Sequence, residues 1–393
     1  MKLSVYQLIL VGLLTLMTGC FGHDSSRNNE PANTRQIIFE DDSVLPGIVF
    51  DKQVVFMDSL YLDNIHDIAV DRNGIVFLSG EKWNHMRIHR FLADGDYAGH
   101  IGQLGNTPGS FQEADRLQVS DSALWVSDPE LRRISKFDPS TGDFMEAVDI
   151  DTLYTRSDFA ADLAQTDITP VGLLDGSRIL LIESGKRNPA YQPEWQIQYT
   201  SLTLNENGQP EITRLFKGMA QRYMVGDYAG RPAAFTLSIN EQPFIDFKPN
   251  GLLYAANSSD FYVRVYSQEG GLLRTYAYPY ERLELNPDDD IFPSYTYNRQ
   301  LLMVRESAEY PKFWPALYHM LLDDEKRIWV STVVEDREMS EWFVIDDRSQ
   351  ELIARFMWPV DKPIRLVKNG TAYTIEKNSA GFEVVAAYNI SFQ

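Results

Sequence analysis

Between Ile65 and Gly102 the chain reads IHDIAVDRNGIVFLSGEKWNHMRIHRFLADGDYAGHIG, in which short apolar runs alternate with polar punctuation. Strand-forming stretches around Ile75 to Ser79 and Met86 to Phe91 are separated by an Asn73-Gly74 turn, a polar loop and an Asp94-Gly95 turn. Asn-Gly and Asp-Gly between β-rich runs mark hairpins, because both residues tolerate the positive φ that tight turns need. The pattern predicts a four-stranded meander. It recurs from Asp115, from Val171, from Phe244, from Tyr318 and from Ile364, each time with a turn followed by a second strand carrying a bulky residue: Phe77, Trp125, Leu181, Tyr254, Trp329 and Tyr373. Six such units predict an all-β chain, a six-bladed β-propeller of four-stranded antiparallel blades.

The last unit ends at Gln393 after three strands, while an apolar run, Gln53 to Asp58, belongs to no complete unit. Pairing the two fragments predicts that an N-terminal strand closes the sixth blade and removes a raw sheet edge. Two packed β-sandwiches would also give alternating strands, but would leave the recurring four-strand unit unexplained. The expected organisation is a leader over 1–19, a tether over 20–36, and one propeller domain over 37–393 with an insertion at about 279–315.

The unit resembles an NHL-type blade, and IGQLGNTPGSF from Ile101 resembles the glycine-rich linker that precedes the next such blade. The later half, with DFYVRVYSQEGGLLRTY from Asp260 and FWPALYHMLLDDEKRIWV from Phe313, is similar to exported six-bladed propeller lipoproteins of bacteria. The resemblance spans about Phe50 to Phe392. It implies the fold and an exported location, and fold by itself implies no activity.

The first residues agree with export. Lys2 precedes an apolar stretch, Leu8 to Leu16, that is too short for a membrane-spanning helix and has the length of a signal-peptide core. It runs into Leu16-Met17-Thr18-Gly19-Cys20, which resembles the lipobox in which the cysteine is lipidated and becomes the mature N-terminus. Cys20 is the only cysteine of the chain, so no intrachain disulfide can form. Phe21 after that cysteine implies, on the same resemblance, the outer membrane. The following Ser25, Ser26, Asn28, Asn29, Pro31 and Asn33 lack periodicity and read as a solvated tether. With 56 acidic against 36 basic residues and a net charge of −20, the chain lacks the clustered cations of a nucleic-acid binder.

In a propeller the first strand of each blade lines the central channel, and its start shares a face with the loops joining second to third strands. That geometry selects His66, Asp67, Arg116 and His319 at first-strand starts, and Trp83, Arg187, Tyr191 and Trp195 in loops, as candidate ligand-binding residues. His66 and His319 fall in blades separated by the one that the N-terminal strand closes, so their spacing alone shows no metal site. His85 and His89 lie four apart but in a loop and a strand, where that spacing does not converge. The acidic runs Asp288 to Asp290 and Asp323 to Glu325 lack the alternating ligands and glycine of a calcium loop and read as solvated turns. The insertion holds Tyr280, Phe292, Tyr295, Tyr297, Tyr310, Phe313 and Trp314, with Leu301, Leu302 and Val304 predicting a short helix; its aromatics either cap the channel or form a binding surface.

No nucleophile elbow or phosphate loop is present in the sequence. The reading is therefore a lipid-anchored envelope binding or scaffold protein with no catalytic residue and no cofactor, its partners a membrane, reached through the N-terminal lipid, and a protein, peptide or glycan. The alternative is a metal-dependent lactonase-like hydrolase or NHL-type lyase, with a divalent cation at the channel. Two departures weigh against it: Asn64-Ile65-His66-Asp67 stands where the lactonase resemblance would put Glu-Gly-Pro, and channel histidines are too few for the zinc lyases. Replacing Cys20 with Ser should move the protein from the membrane to the soluble fraction in a carbonate-wash fractionation; retention in membranes would refute lipid anchoring.

Overall fold

The computed structural model describes residues 34–40, 45–56, 62, 64–82, 85–161, 166–185, 196–237, 239–248, 251–286 and 306–393. Two strands precede the repeats, β1 (Arg35–Ile38) and β2 (Ile48–Phe56). Blade 1 is β3 (Asn64–Val70), β4 (Val76–Lys82), β5 (His85–Phe91) and β6 (Tyr97–Ile101). Blade 2 is β7 (Arg116–Val119), β8 (Leu124–Asp128), β9 (Arg133–Phe137) and β10 (Phe144–Asp149), followed by the short helix α1 (Ile150–Thr155). Blade 3 is β11 (Thr166–Leu173), β12 (Ile179–Gly185), β13 (Gln196–Leu204) and β14 (Pro210–Met219).

A separate hairpin, β15 (Met224–Tyr228) with β16 (Arg231–Phe235), leads to blade 4: β17 (Pro243–Phe247), β18 (Leu253–Asn257), β19 (Tyr262–Tyr266) and β20 (Leu272–Ala277). Blade 5 is β21 (Leu317–Leu322), β22 (Arg327–Val333), β23 (Met339–Asp346) and β24 (Glu351–Pro359). Blade 6 is β25 (Ile364–Lys368), β26 (Thr371–Lys377) and β27 (Glu383–Phe392), with β2 as its outer strand, antiparallel to β27. The chain is thus the expected six-bladed propeller, closed by an N-terminal strand that begins five residues earlier than the hydrophobic pattern indicated.

Six of the hydrophobic clusters each lie between consecutive blades, from blade 1 against blade 2 round to blade 6 against blade 1. The bulky second-strand residues of the repeat supply them. Phe77, Leu181 and Trp329 are fully buried, Tyr254 and Tyr373 nearly so, and Trp125 is covered by the Lys136 ammonium 4.8 Å from its ring. Each fully buried apolar side chain contributes roughly 1.5–3 kcal/mol of transfer free energy, so packed faces hold neighbouring blades together along their length.

Within blades, the turns after the inner strands are fixed by acidic side chains. Asp71 accepts from the backbone N–H of Asn73 and Ile75, and Asp175 from those of Ser177 and Arg178. Asp323 does the same for Glu325 and Arg327, and also binds the Arg327 guanidinium and the Trp329 indole N–H. The Asp323 to Glu325 run is therefore a turn, as expected, but only Asp324 and Glu325 are solvated: Asp323 is fully buried by the bonds that it accepts. Between blades 1 and 2, Gly102 lies under Phe111, whose ring would sit 2.1 Å from a Cβ there; together with a φ of +68° this excludes any side chain.

The N-terminal segment encircles half the ring. β1 adds in parallel to the outer edge of β20, starting two residues inside the expected tether, and Phe39 stacks on Tyr276 at 5.9 Å between centroids. The Pro46 carbonyl then accepts from the Arg355 N–H on blade 5 before β2 enters blade 6. Above blades 4 and 5, the described ends of the insertion pair through Glu284 and Phe313 and pack with the β15/β16 hairpin. Trp314 and Met224 are buried there against Tyr310, Tyr318, Leu283 and Leu285. Of the described aromatics of the insertion, Tyr310 and Trp314 join this hydrophobic cluster and none lines the channel cavity; Phe292, Tyr295, Tyr297 and the expected helix at Leu301 to Val304 lie outside the described residues.

Asp323→Ala should cost about 3–5 kcal/mol in equilibrium guanidinium denaturation, because it leaves the Arg327 charge and an indole N–H buried without their acceptor. Removing the exposed turn acid Asp94 by the same change should cost less than about 1 kcal/mol.

Candidate functional site

The inner strands enclose a central cavity of about 580 Å3, lined by residues of β3, β7, β17, β21 and β25. β11 is missing from this lining. Arg116 of blade 2 reaches across it to Asp246 of blade 4, with Nη2 and Oδ1 2.8 Å apart and the guanidinium 5.0 Å from the Phe247 ring centroid. Behind this bridge β11 carries a bulge at Gly172, where a Cβ would meet Gln118 Oε1 at 2.6 Å and Phe247 Cζ at 3.2 Å. Glycine is what lets the two neighbouring strands close over blade 3.

Adjacent inner strands are parallel and splayed, so they form no ladder, and their channel-facing backbone needs other partners. Side chains from one blade supply them to another. Asp67 accepts from Leu117 N (2.7 Å), Gln118 accepts from Leu173 N (2.6 Å), and Asp246 accepts from Leu322 N (2.8 Å). Arg365 donates to the His66 carbonyl at 3.2 Å, and the Lys368 ammonium to that of Val70. Burial pushes the Asp67 carboxyl above its ordinary value despite the Leu117 N–H and the nearby Arg116 and Arg365. Burial, followed by repulsion from Arg365, pushes His319 down to about 4, so its imidazole is neutral at pH 7 and lies stacked 6.1 Å from the Trp342 ring.

The two ends of the channel carry different groups. At the mouth, Glu113 and Asp115 flank the buried Ala114 on the linker into blade 2 and approach His66; donor atoms of the three all lie within 4.8 Å of one another. That linker is held by Asp128, which is fully buried and accepts from the N–H groups of Gln112, Glu113 and Leu131. Burial raises the Glu113 carboxyl, and Asp115, Glu130 and Asp128 raise it further. Burial likewise raises Asp128, against those three N–H bonds. At the other end, the floor, burial lowers the Lys368 ammonium and Lys248 lowers it further, while Asp324 accepts from Asn369 N.

Of the residues singled out in the sequence, His66, Asp67, Arg116 and His319 all line the cavity. Asp67 and Arg116 are engaged in joining blades. His66 belongs to the mouth cluster, the sole grouping of three or more metal-donor side chains among the described residues, and His319 is not part of it. His89 is buried with Nδ1 3.4 Å from the Tyr97 hydroxyl. Trp83, Arg187, Tyr191, Trp195 and Cys20 lie outside the described residues. Glu113 escaped sequence reasoning because only strand starts and second-to-third loops were weighed; the linkers from fourth to first strands end on the same face and were the available signal.

No protein-family model and no curated protein sequence matches the chain. Solved structures do. A member of the duf4221 family from Bacteroides vulgatus superposes with a TM-score of 0.52 at 12% identity, covering 89% of this chain and 100% of the other. A Bacteroides fragilis protein described as exported gives 0.49 at 11%, covering 91% and 99%. Regucalcin from Agrobacterium tumefaciens, described as calcium-binding, gives 0.42 at 13%, covering 87% and 95%. At these identities the likeness is one of fold, carried by the first of the three.

A histidine held neutral in the folded state binds a proton more readily once unfolded, so it lowers stability as pH falls from about 6.5 toward 4. His319 should cost about 1–2 kcal/mol by pH 5 relative to pH 7. Denaturation of wild type and His319→Gln at both pH values should show the steeper loss in wild type; parallel losses would contradict the assignment.

Proposed function

We propose that this chain is a binding protein of the bacterial envelope, anchored by a lipid on Cys20, that receives a protein, peptide or glycan segment at the mouth of its propeller channel. The observation that carries this reading is the use of the channel's buried polar groups. Asp67, Asp246, Gln118 and Arg116, the channel groups with the chemistry of an acid, base or electrostatic catalyst, are each tied to a backbone group or a countercharge of another blade. What is presented to an incoming molecule is a concave opening with exposed Arg365 and the mouth carboxylates, which suits recognition of a polar or charged segment. The lactonase-like or lyase alternative is not favoured, since the carboxylates inside the channel where a shielded general base would stand, Asp67 and Asp246, already accept from N–H groups of neighbouring blades.

The apolar leader ending in Thr18-Gly19-Cys20 supports the lipid anchor, and Phe21 after it supports the outer membrane. The recurring blades and the glycine-rich linker from Ile101 support an NHL-like ancestry. Trp83, Arg187, Tyr191 and Trp195, placed by the repeat on the loops of the mouth face, are the proposed aromatic and cationic contacts around the opening.

A photo-crosslinking amino acid at position 365 should capture an envelope component in intact cells, whereas the same group at position 146, on the outer strand of blade 2, should not. Equal capture at both positions, or turnover of a lactone and ester panel by the purified protein, would overturn the binding reading.

A further inference from the structure

His66 reaches the channel mouth from the inner strand of blade 1, and Glu113 and Asp115 reach it from the linker into blade 2. The two carboxylates are two positions apart, and the residue between them, Ala114, is fully buried. Both acidic side chains therefore turn away from the core on the same side of the linker, toward the imidazole. The Asn64 amide nitrogen lies 3.3 Å from His66 Nε2, where it can only donate, so a metal reaching that ring nitrogen would displace Asn64.

We propose that His66, Glu113 and Asp115 form a binding site for a first-row divalent transition metal, Zn2+ being the probe. In a four-coordinate site with bonds of about 2.0–2.2 Å the donors stand roughly 3.4 Å apart. Donor atoms already gathered within 4.8 Å meet that spacing through small side-chain rotations, without backbone movement. One imidazole with two carboxylates is a borderline donor set, suited to Zn2+ or Mn2+ rather than to the all-oxygen sites of Ca2+. Electrostatics act in the same direction. Asp115, Glu130 and the buried Asp128 surround Glu113 with like charge that His66 only partly offsets, so a bound dication meets a mouth where carboxylates predominate. Three protein donors leave a coordination position open toward the channel. The site does not depend on which ligand, if any, enters there.

The chain purified without a histidine tag and stripped with a chelator should bind one Zn2+ per molecule in isothermal titration calorimetry. Affinity should fall at least tenfold in Glu113→Gln and in His66→Ala, and stay unchanged in His100→Ala, whose imidazole is exposed outside the cluster. Co2+ loading should add visible d–d absorption that the same two variants lose. Metal-free melting separates this from damage to the fold: Glu113→Gln should melt no lower than wild type, because it removes one of the crowded charges, and Asp115→Asn, altering an exposed side chain, serves if Glu113→Gln does not fold. Absence of saturable stoichiometric binding by wild type, or unchanged binding in the His66→Ala/Glu113→Gln double variant, would overturn the site.

Discussion

Inner strands of a propeller face one another across a channel without forming a sheet, and this chain meets that constraint with side chains that cross from blade to blade. Asp67 to Leu117, Gln118 to Leu173, Asp246 to Leu322, Arg365 to His66 and Lys368 to Val70 each satisfy a backbone group that a β-ladder would have covered. A buried, unsatisfied backbone group costs about 1–3 kcal/mol, so these bonds define which inner-strand positions must be polar. Arg116 to Asp246 is the longest of the crossings, skipping a blade, and it narrows the channel from the wall inward.

Blade number, blade order and the closing strand were legible because they repeat. The second-strand bulky residue recurs in all six units and the turn acid in three, and each copy reports the same local requirement. Asp71, Asp175 and Asp323 hold equivalent turns in three blades, and Phe77, Leu181 and Trp329 fill equivalent interblade positions. Features that occur once had no second copy to reveal them. The β15/β16 hairpin follows a blade whose own outer hairpin has the same strand-turn-strand pattern, and β1 is a four-residue strand stabilised mainly by its neighbour β20 and by the stack of Phe39 on Tyr276.

The candidate site was legible only in part, for a related reason. Position along a first strand says that Asp67, Arg116 and His319 face the channel, and they do. It does not say whether a channel-facing charge meets solvent or a neighbouring strand, since that depends on how far blades lean together. At blade 3 the flanking strands approach closely over Gly172, β11 drops out of the cavity lining, and Arg116 meets Asp246 in front of it. Glu113 depends on the packing of Ala114 and on the hold of Asp128 over its linker, both long-range effects.

The direction of β1 orients the whole ring. Fourth strands run from the floor of the channel toward its mouth, and β1 lies parallel to one of them, so Arg35 sits at the floor end of blade 4 and Ile38 toward the mouth end. Whatever precedes Thr34 therefore departs from the rim of the face that carries Lys248 and Lys368. A propeller held by its amino end at a surface would turn to it the face on which Lys248 and Lys368 alternate with Asp71, Asp121 and Asp324, and its carboxylate-bearing opening outward.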